Sequence, residues 1–265
     1  MSFQLNVAKT FVESVDLAGI PRNILSQSAA TEASAVFDQA KTQVQVVGSG
    51  VFSFSQGVDA MVREAISDSA LLAQLVANKR VDFEKNPHGW FKAYADVLQN
   101  VGWTAQENGW TEYPASGTAV EVNEKIIEVM TAILAPAAGA LTIITATINA
   151  LKAMKPESSW ITIFTRESQK AKIARFQIGL VEKDPAGDVF VSLLACLVEA
   201  QNSITQVLVF KFTNSSAVFS ANNLKVSINR AALTDLGPSI RGKIKAYQAD
   251  YLSSISDLPL PPRST

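Results

Sequence analysis

The sequence has one cysteine, one histidine and little charge, and each scarcity removes a class of function. Cys196 has no second cysteine to join, so no internal disulfide forms. His88 stands alone as well, which leaves no His/Cys cluster at zinc spacing. Charged residues make up 18% of the chain, below the usual quarter, while apolar residues make up 48%. That balance excludes a disordered chain. At 265 residues it points to a large buried core, in one large domain or two small ones. The net charge of −1 offers none of the basic surface that nucleic acid would need.

The motifs of common chemistries are absent too. There is no P-loop, no G-x-G-x-x-G and no G-x-S-x-G. Gly48-Ser49-Gly50 is too short to cradle a phosphate and reads as a turn. Asp184 with Asp188, and Glu121 with Glu124 and Glu128, fall short of the oxygen count of a calcium loop. The expectation is therefore no metal and no cofactor. A base at His88, in Asn86-Pro87-His88-Gly89-Trp90, competes with a structural role at a helix start. Cys196, inside an apolar strand, reads as core rather than nucleophile. The chain is expected not to be an enzyme. Its first residues, Met1 to Asn6, lack the basic start and apolar core of a signal peptide, so synthesis without Sec export is expected.

What the sequence does contain is an uncharged run over residues 129–151. As a helix it is long enough to cross a bilayer core of about 30 Å. Pro136 and Gly139 near its middle, and Thr131, Thr142, Thr145, Thr147 and Asn149 along it, make a poor permanent span. The run reads either as a buried helical hairpin or as a segment that enters a membrane conditionally. Ile126, Met130, Ile133, Ala137, Leu141, Ile144, Ile148 and Leu151 step by three or four and form one continuous face. Pro136 divides that face into arms over 124–135 and 138–154.

Elsewhere the spacing predicts helices over 3–15 and 58–78. A third runs from Asn86, as N-cap before Pro87, to Val101. Residues 103–122 read as a loop or short hairpin. After Pro156 the period changes from 3.6 to 2. Strands are predicted over 42–47, 160–165, 171–182, 189–199, 204–213 and 224–229, with a turn at Asp184-Pro185-Ala186-Gly187 and others at 214–216 and 221–223. A last helix is predicted from Pro238. Residues 189–198 and 207–210 are apolar on both alternating faces, and a strand of that kind needs cover on both sides. Short turns make the strands antiparallel, and the helices that precede them must fold over both faces. The fold class is thus α/β (α+β): a single-domain three-layer α/β/α sandwich, its antiparallel sheet covered by helical hairpins on both faces. Residues 1–41 read as a removable N-terminal segment, 42–255 as the domain and 256–265 as an extended tail.

One resemblance sharpens this reading. An apolar helix pair leads into Ser159-Trp160-Ile161-Thr162-Ile163-Phe164, broken by Arg166-Glu167-Ser168. Ile173-Ala174-Arg175-Phe176-Gln177-Ile178 follows, then residues 189–198, then Val207-Leu208-Val209-Phe210-Lys211-Phe212-Thr213-Asn214-Ser215-Ser216, and Asn223-Leu224-Lys225-Val226 closes the series. In order and texture, residues 122–233 resemble the Cyt family of cytolytic delta-endotoxins, which includes the fungal cytolysin volvatoxin. The resemblance implies a pre-folded toxin, soluble or stored in inclusions, that acts outside the cell. It also implies direct binding to membrane lipids, self-association on the membrane and permeabilisation of the bilayer, often after proteolytic trimming. Insertion by three long strands and surface action by the helices are both open. The strands predicted over 171–182, 189–199 and 204–213 have 10 to 12 residues, and a spanning strand needs about 9–11. On this reading the strand positions that change environment are Phe176, Ile178, Leu180, Phe190, Leu194, Val209 and Phe210. Their helical counterparts are Ile133, Leu134, Leu141 and Ile144. Arg175 and Lys211 would face a lumen or a partner. The alternatives are a non-lytic lipid- or glycan-binding or packaging protein on the same fold, or an enzyme using His88.

Overall fold

The computed structural model describes residues 2–21, 38–115, 119–134 and 138–255. Its first half contains α1 (Ser2–Ser14), β1 (Gln43–Val47), β2 (Gly50–Phe54), α2 (Ala60–Arg80), α3 (Pro87–Asn100), β3 (Trp103–Glu112), β4 (Val120–Glu121) and α4 (Val122–Leu134). Then come α5 (Ala138–Ala153), α6 (Ser159–Ser168), β5 (Gln169–Lys170), β6 (Ile173–Lys183), β7 (Val189–Ala200), a 3-10 turn (Val207–Val209), β8 (Lys211–Phe212), β9 (Ala217–Ile228), α7 (Arg230–Ile244), α8 (Gln248–Tyr251) and β10 (Leu252–Ile255). Side chains set four of the helix starts. Asp59, Asn86, Ser158 and Asn229 each accept a bond from the backbone three residues on, which satisfies donors that a helix end leaves open.

The main sheet runs β10-β1-β2-β6-β7-β9-β3, with β5 also paired to β6. All of these pairs are antiparallel except β2 with β6, which run parallel, so the sheet is mixed rather than antiparallel throughout. Short turns join β1 to β2 and β6 to β7, but a long helical crossover separates β2 from β6, and a crossover permits parallel pairing. Two apolar layers enclose the sheet. Val47, Phe52, Val181, Val191, Leu193, Leu224 and Val226 face α1, α2, α3 and α7. Val44, Val46, Val51, Phe176, Ile178, Leu180, Leu194 and Phe219 face α4, α5 and α6. The three-layer sandwich is therefore the observed architecture.

Several elements differ from the sequence reading. Residues 160–165 are helical, within α6. Trp-Ile-Thr-Ile-Phe-Thr fits a strand by propensity, but it is too short for period alone to decide, and the Ser158 cap with buried Ile161, Phe164 and Ser168 selects the helix. Residues 204–213 form a 3-10 turn and the two-residue β8, not a long strand. Gln206 accepts from the Val209 amide, the Phe210 amide bonds Val207, and the Val207 amide bonds Gln169, so the backbone is committed to a local turn. The third long strand is β9, of 12 residues, which passes straight through the asparagines read as a turn at 221–223. Residues 103–112, read within a loop or short hairpin, are an edge strand with a bulge between Glu107 and Trp110, where Gly109 takes φ +79°. Finally, α7 starts at Arg230, and Pro238 lies inside it on the exposed side, where the carbonyl it leaves unbonded meets water.

A polar pin crosses the first layer. The Gly48-Ser49-Gly50 turn is buried, and the Ser49 amide donates to Gln74, whose amide nitrogen donates to the Val47 carbonyl (2.9 and 2.6 Å). Arg175, expected to face a lumen or partner, lies fully buried here. It donates to Ser49 Oγ (2.7 Å) and Asn78 Oδ1 (2.8 Å), between the rings of Trp90 (3.5 Å) and Phe83 (4.4 Å). Burial pushes its pKa down to about 9, so the guanidinium stays charged at neutral pH. The N-terminal segment joins the same layer. Val12 of α1 is buried, Tyr247 donates to the Leu17 carbonyl (2.8 Å) and Lys79 pairs with Asp16 (2.6 Å). Pro136 and the tail 256–265 lie outside the described residues.

Gly179 in β6 marks a close approach. A Cβ there would sit 2.7 Å from Cδ1 of Phe52 on neighbouring β2. Gly179→Ala is expected to cost about 1–3 kcal/mol, read as a lower urea midpoint, and adding Phe52→Leu should recover part of that loss.

Candidate membrane-contact site

The uncharged run folds into α4 and α5, whose apolar stripes meet the sheet. Val122, Ile126, Val129, Met130 and Leu134 of α4 join Ala140, Ile144, Ile148 and Leu151 of α5 in one buried cluster with Phe176, Ile178, Leu180 and Leu194 of the sheet. The stripes follow the three-and-four spacing of the sequence. Lys125 is buried among them, with its ammonium led out to exposed Glu128 (2.7 Å).

Polar links hold this pair at one end and at its middle. At the end, Glu121 accepts from Lys152 (2.6 Å) and from Asn123 (2.8 Å), with Lys211 at 3.7 Å. Asn123 also donates to the Leu208 carbonyl (2.7 Å), and the Val122 amide donates to the Phe210 carbonyl (3.1 Å). At the middle, the Thr147 and Ser53 hydroxyls lie 2.8 Å apart, both buried, and Thr147 donates onward to the Ile143 carbonyl. These contacts tie both helices to the segment over 208–212 and to β2.

Hydrogen bonds lower the Glu121 pKa, that of Lys152 first and then that of Asn123, and the charges of Lys152 and Lys211 add to them. A carboxyl lowered on folding stabilises the fold above its ordinary range and loses that contribution as pH falls through its folded value. The end clamp should therefore persist through neutral pH and weaken below about pH 4.5, the ordinary glutamate value. Hydrogen-exchange protection in the last turn of α5, taken relative to the intrinsic rate at each pH, should fall there. In Glu121→Gln that protection should already be lower at pH 7 and change little on acidification.

The site residues expected from the sequence divide into three groups. Phe176, Ile178, Leu180, Leu194 and Ile144 are fully buried in the cluster, and Leu134 is buried with them. Ile133 and Leu141 are half-buried. Phe190 is half-buried away from the α4–α5 cluster, with the Lys225 ammonium 6.0 Å from its ring. Val209 and Phe210 are not strand residues. Val209 ends the 3-10 turn at 38% exposure, and Phe210 packs half-buried against the cluster. Val44, Val46 and Val51 of the first hairpin, and the Ser53–Thr147 contact, were missed. The alternation in residues 42–47 pointed to the valines, but nothing local to Thr147 points to Ser53, which is far away in sequence.

Among the described residues no helix is long and apolar enough to cross a membrane. The 13 and 16 residues of α4 and α5 extend about 20 and 24 Å at 1.5 Å each, short of a core of about 30 Å. The long strands β6, β7 and β9, of 11, 12 and 12 residues, match the length of spanning strands. On β6 the two faces differ. Ala174, Phe176, Ile178 and Leu180 turn to α4 and α5, while Arg175 and Gln177 alternate with them toward the other layer. His88 is exposed, its ring edge-on to Trp110 at 4.9 Å, and Cys196 is buried, which pushes its thiol well up.

No family model matches the chain, and no curated protein sequence matches it. Two solved structures are similar. One is a delta-endotoxin, at 12% identity and TM-score 0.40, covering 81% of this chain and 89% of that one. The other is the Evf virulence factor, at 9% identity and TM-score 0.34, covering 81% of this chain and 87% of that one. At these identities neither likeness assigns the chain to a family.

Proposed function

We propose that this protein is a membrane-permeabilising cytolysin that binds lipid directly, lifts α4 and α5 from the sheet and self-associates on the bilayer. The observation that supports this most is the pair α4 and α5, whose apolar stripes lie on an apolar sheet face and which few polar contacts tie down. Magnitudes then restrict where it can open. Exposing roughly ten large apolar side chains to water costs about 15–30 kcal/mol at about 1.5–3 kcal/mol each. A domain is held together by only about 5–15 kcal/mol. Opening in water is therefore prohibitive, and opening against lipid removes most of that cost. Spanning strands would need partners along their edges, because unpaired backbone groups in lipid cost several kcal/mol each, which is why oligomers belong to the proposal. Membrane lipid and further copies of the chain are the proposed partners, without nucleic acid and without catalysis.

Dye release from liposomes tests this directly, with and without trypsin pretreatment. Dose-dependent leakage is the expected result. Binding to the vesicles without leakage under either condition would replace the lytic reading with a lipid-binding one.

A further inference from the structure

The layer opposite α4 and α5 holds a cleft of about 520 Å³ between α3 and the strands β7, β9 and β3. That volume falls in the range of small-molecule sites. Its floor is apolar, from Leu193, Ala195, Leu224 and Val226, and its walls are aromatic, from Phe91, Tyr94, Trp103 and Trp110.

Trp110 reaches this face because of the bulge. Glu107 pairs with Leu224 and Trp110 with Asn222, so β3 advances three residues while β9 advances two. Without the extra residue, Gly109 would stand opposite Asn222 and Trp110 would point to the other side of the sheet. Phe91 and His88 then brace its ring, at 4.8 and 4.9 Å.

Two buried polar groups that line the cleft have no hydrogen-bond partner among the described residues. Asn222, 7% exposed, leaves Oδ1 unbonded, and Tyr94, 3% exposed, leaves its hydroxyl unbonded. Burial raises the Tyr94 phenol pKa, so it keeps its proton and can donate. A buried polar group left without a bond destabilises the fold, and most such groups in folded proteins are bonded. Along the mouth, Lys92, Asp96 and Gln99 are exposed on α3.

We infer that this cleft binds a neutral sugar ring at the end of a glycan. The apolar side of a hexose suits an aromatic wall. Its hydroxyls both donate and accept, which answers a lone donor at Tyr94 and a lone acceptor at Asn222. Lys92 and Asp96 both stand at the mouth, and among the described residues no cation lines the floor, so a phosphate or carboxylate has nothing there to select it. The site goes beyond the lytic reading and lies on the opposite layer from α4 and α5, so attachment and opening do not compete for one surface.

The test is an array of neutral oligosaccharides probed with the full chain, followed by titration of each hit. At least one hexose-terminated glycan should bind. Tyr94→Phe and Asn222→Leu should each weaken that binding at least about tenfold while leaving the melting temperature level or higher, because each removes an unsatisfied buried group. No hit on the array, or hits that both variants bind like wild type, would overturn the inference. A fall in melting temperature in both variants would also count against it, since it would show the two groups serving the fold. Vesicles with and without the matching glycolipid, and the free oligosaccharide as competitor, separate a lipid-borne glycan from a protein-borne one. Leakage from glycan-free vesicles reports on the lytic reading alone, so the two can fail separately.

Discussion

Oxidised Ser53→Cys/Thr147→Cys protein, built on Cys196→Ser, should release at least about a hundredfold less dye than its reduced form. The two hydroxyls lie 2.8 Å apart, so cysteines there are placed to bridge. The bond would fasten α5 to β2 at the middle of the helix pair and leave the fold in water unchanged. Dithiothreitol should restore leakage in the same sample, which separates locking from misfolding. Crosslinking at Glu121 and Lys152, whose charged groups are 2.6 Å apart, fastens α5 to the start of α4 instead. That second lock should impair leakage less, because it leaves the pair free to lift as a unit. Equal lysis by the oxidised and reduced Ser53/Thr147 variants would mean that α5 never leaves the sheet.

Arg175→Ala should lower stability by about 2–4 kcal/mol, and Arg175→Met should change it by less than about 1 kcal/mol. Two opposing effects set these values. The buried guanidinium has no carboxylate within ion-pair distance among the described residues, so its desolvation is poorly offset. Against that stand two aromatic faces, worth up to about 2 kcal/mol each when dry, and the packing of a long side chain. Alanine loses the packing and leaves a cavity. Methionine keeps much of the volume and removes the charge. The former partners stay bonded, because Asn78 still accepts from Trp90 and Ser49 still contacts Gln74. Urea midpoints of the two variants decide the matter. If methionine proves as damaging as alanine, the charge itself holds the layer together.

Arg175 also bears on the lytic reading, because it lies on β6 on the face away from Phe176 and Ile178. If β6 inserts, that face becomes the polar one, and a cation that the dry fold tolerates at a cost acquires water. Arg175→Met should then lyse with altered ion selectivity, measurable as a shifted reversal potential in planar bilayers.

The sequence by itself determined the three layers. Residues 189–198 are apolar on both alternating faces, which no two-layer arrangement can satisfy, and the helical stripe through Ile126, Met130, Ile144 and Ile148 needed a flat apolar partner. Alternation in 171–182 put Ala174, Phe176, Ile178 and Leu180 on one face, as β6 has them, because burial in a strand follows a period of two whatever the neighbours are. Only the tertiary structure decided the rest. Residues 160–165 and 204–213 are short apolar runs that fit either period, and distant or capping groups such as Ser158 and Gln169 settled them. Asn222 and Asn223 look like a turn in isolation, yet lie mid-strand because β7 and β3 bond the backbone on both sides. The parallel β2–β6 pair, the Ser53–Thr147 contact and the aromatic cleft behind the β3 bulge all join residues far apart in sequence. Periodicity reports the side a residue faces, and contacts of this kind depend on what lies across from it.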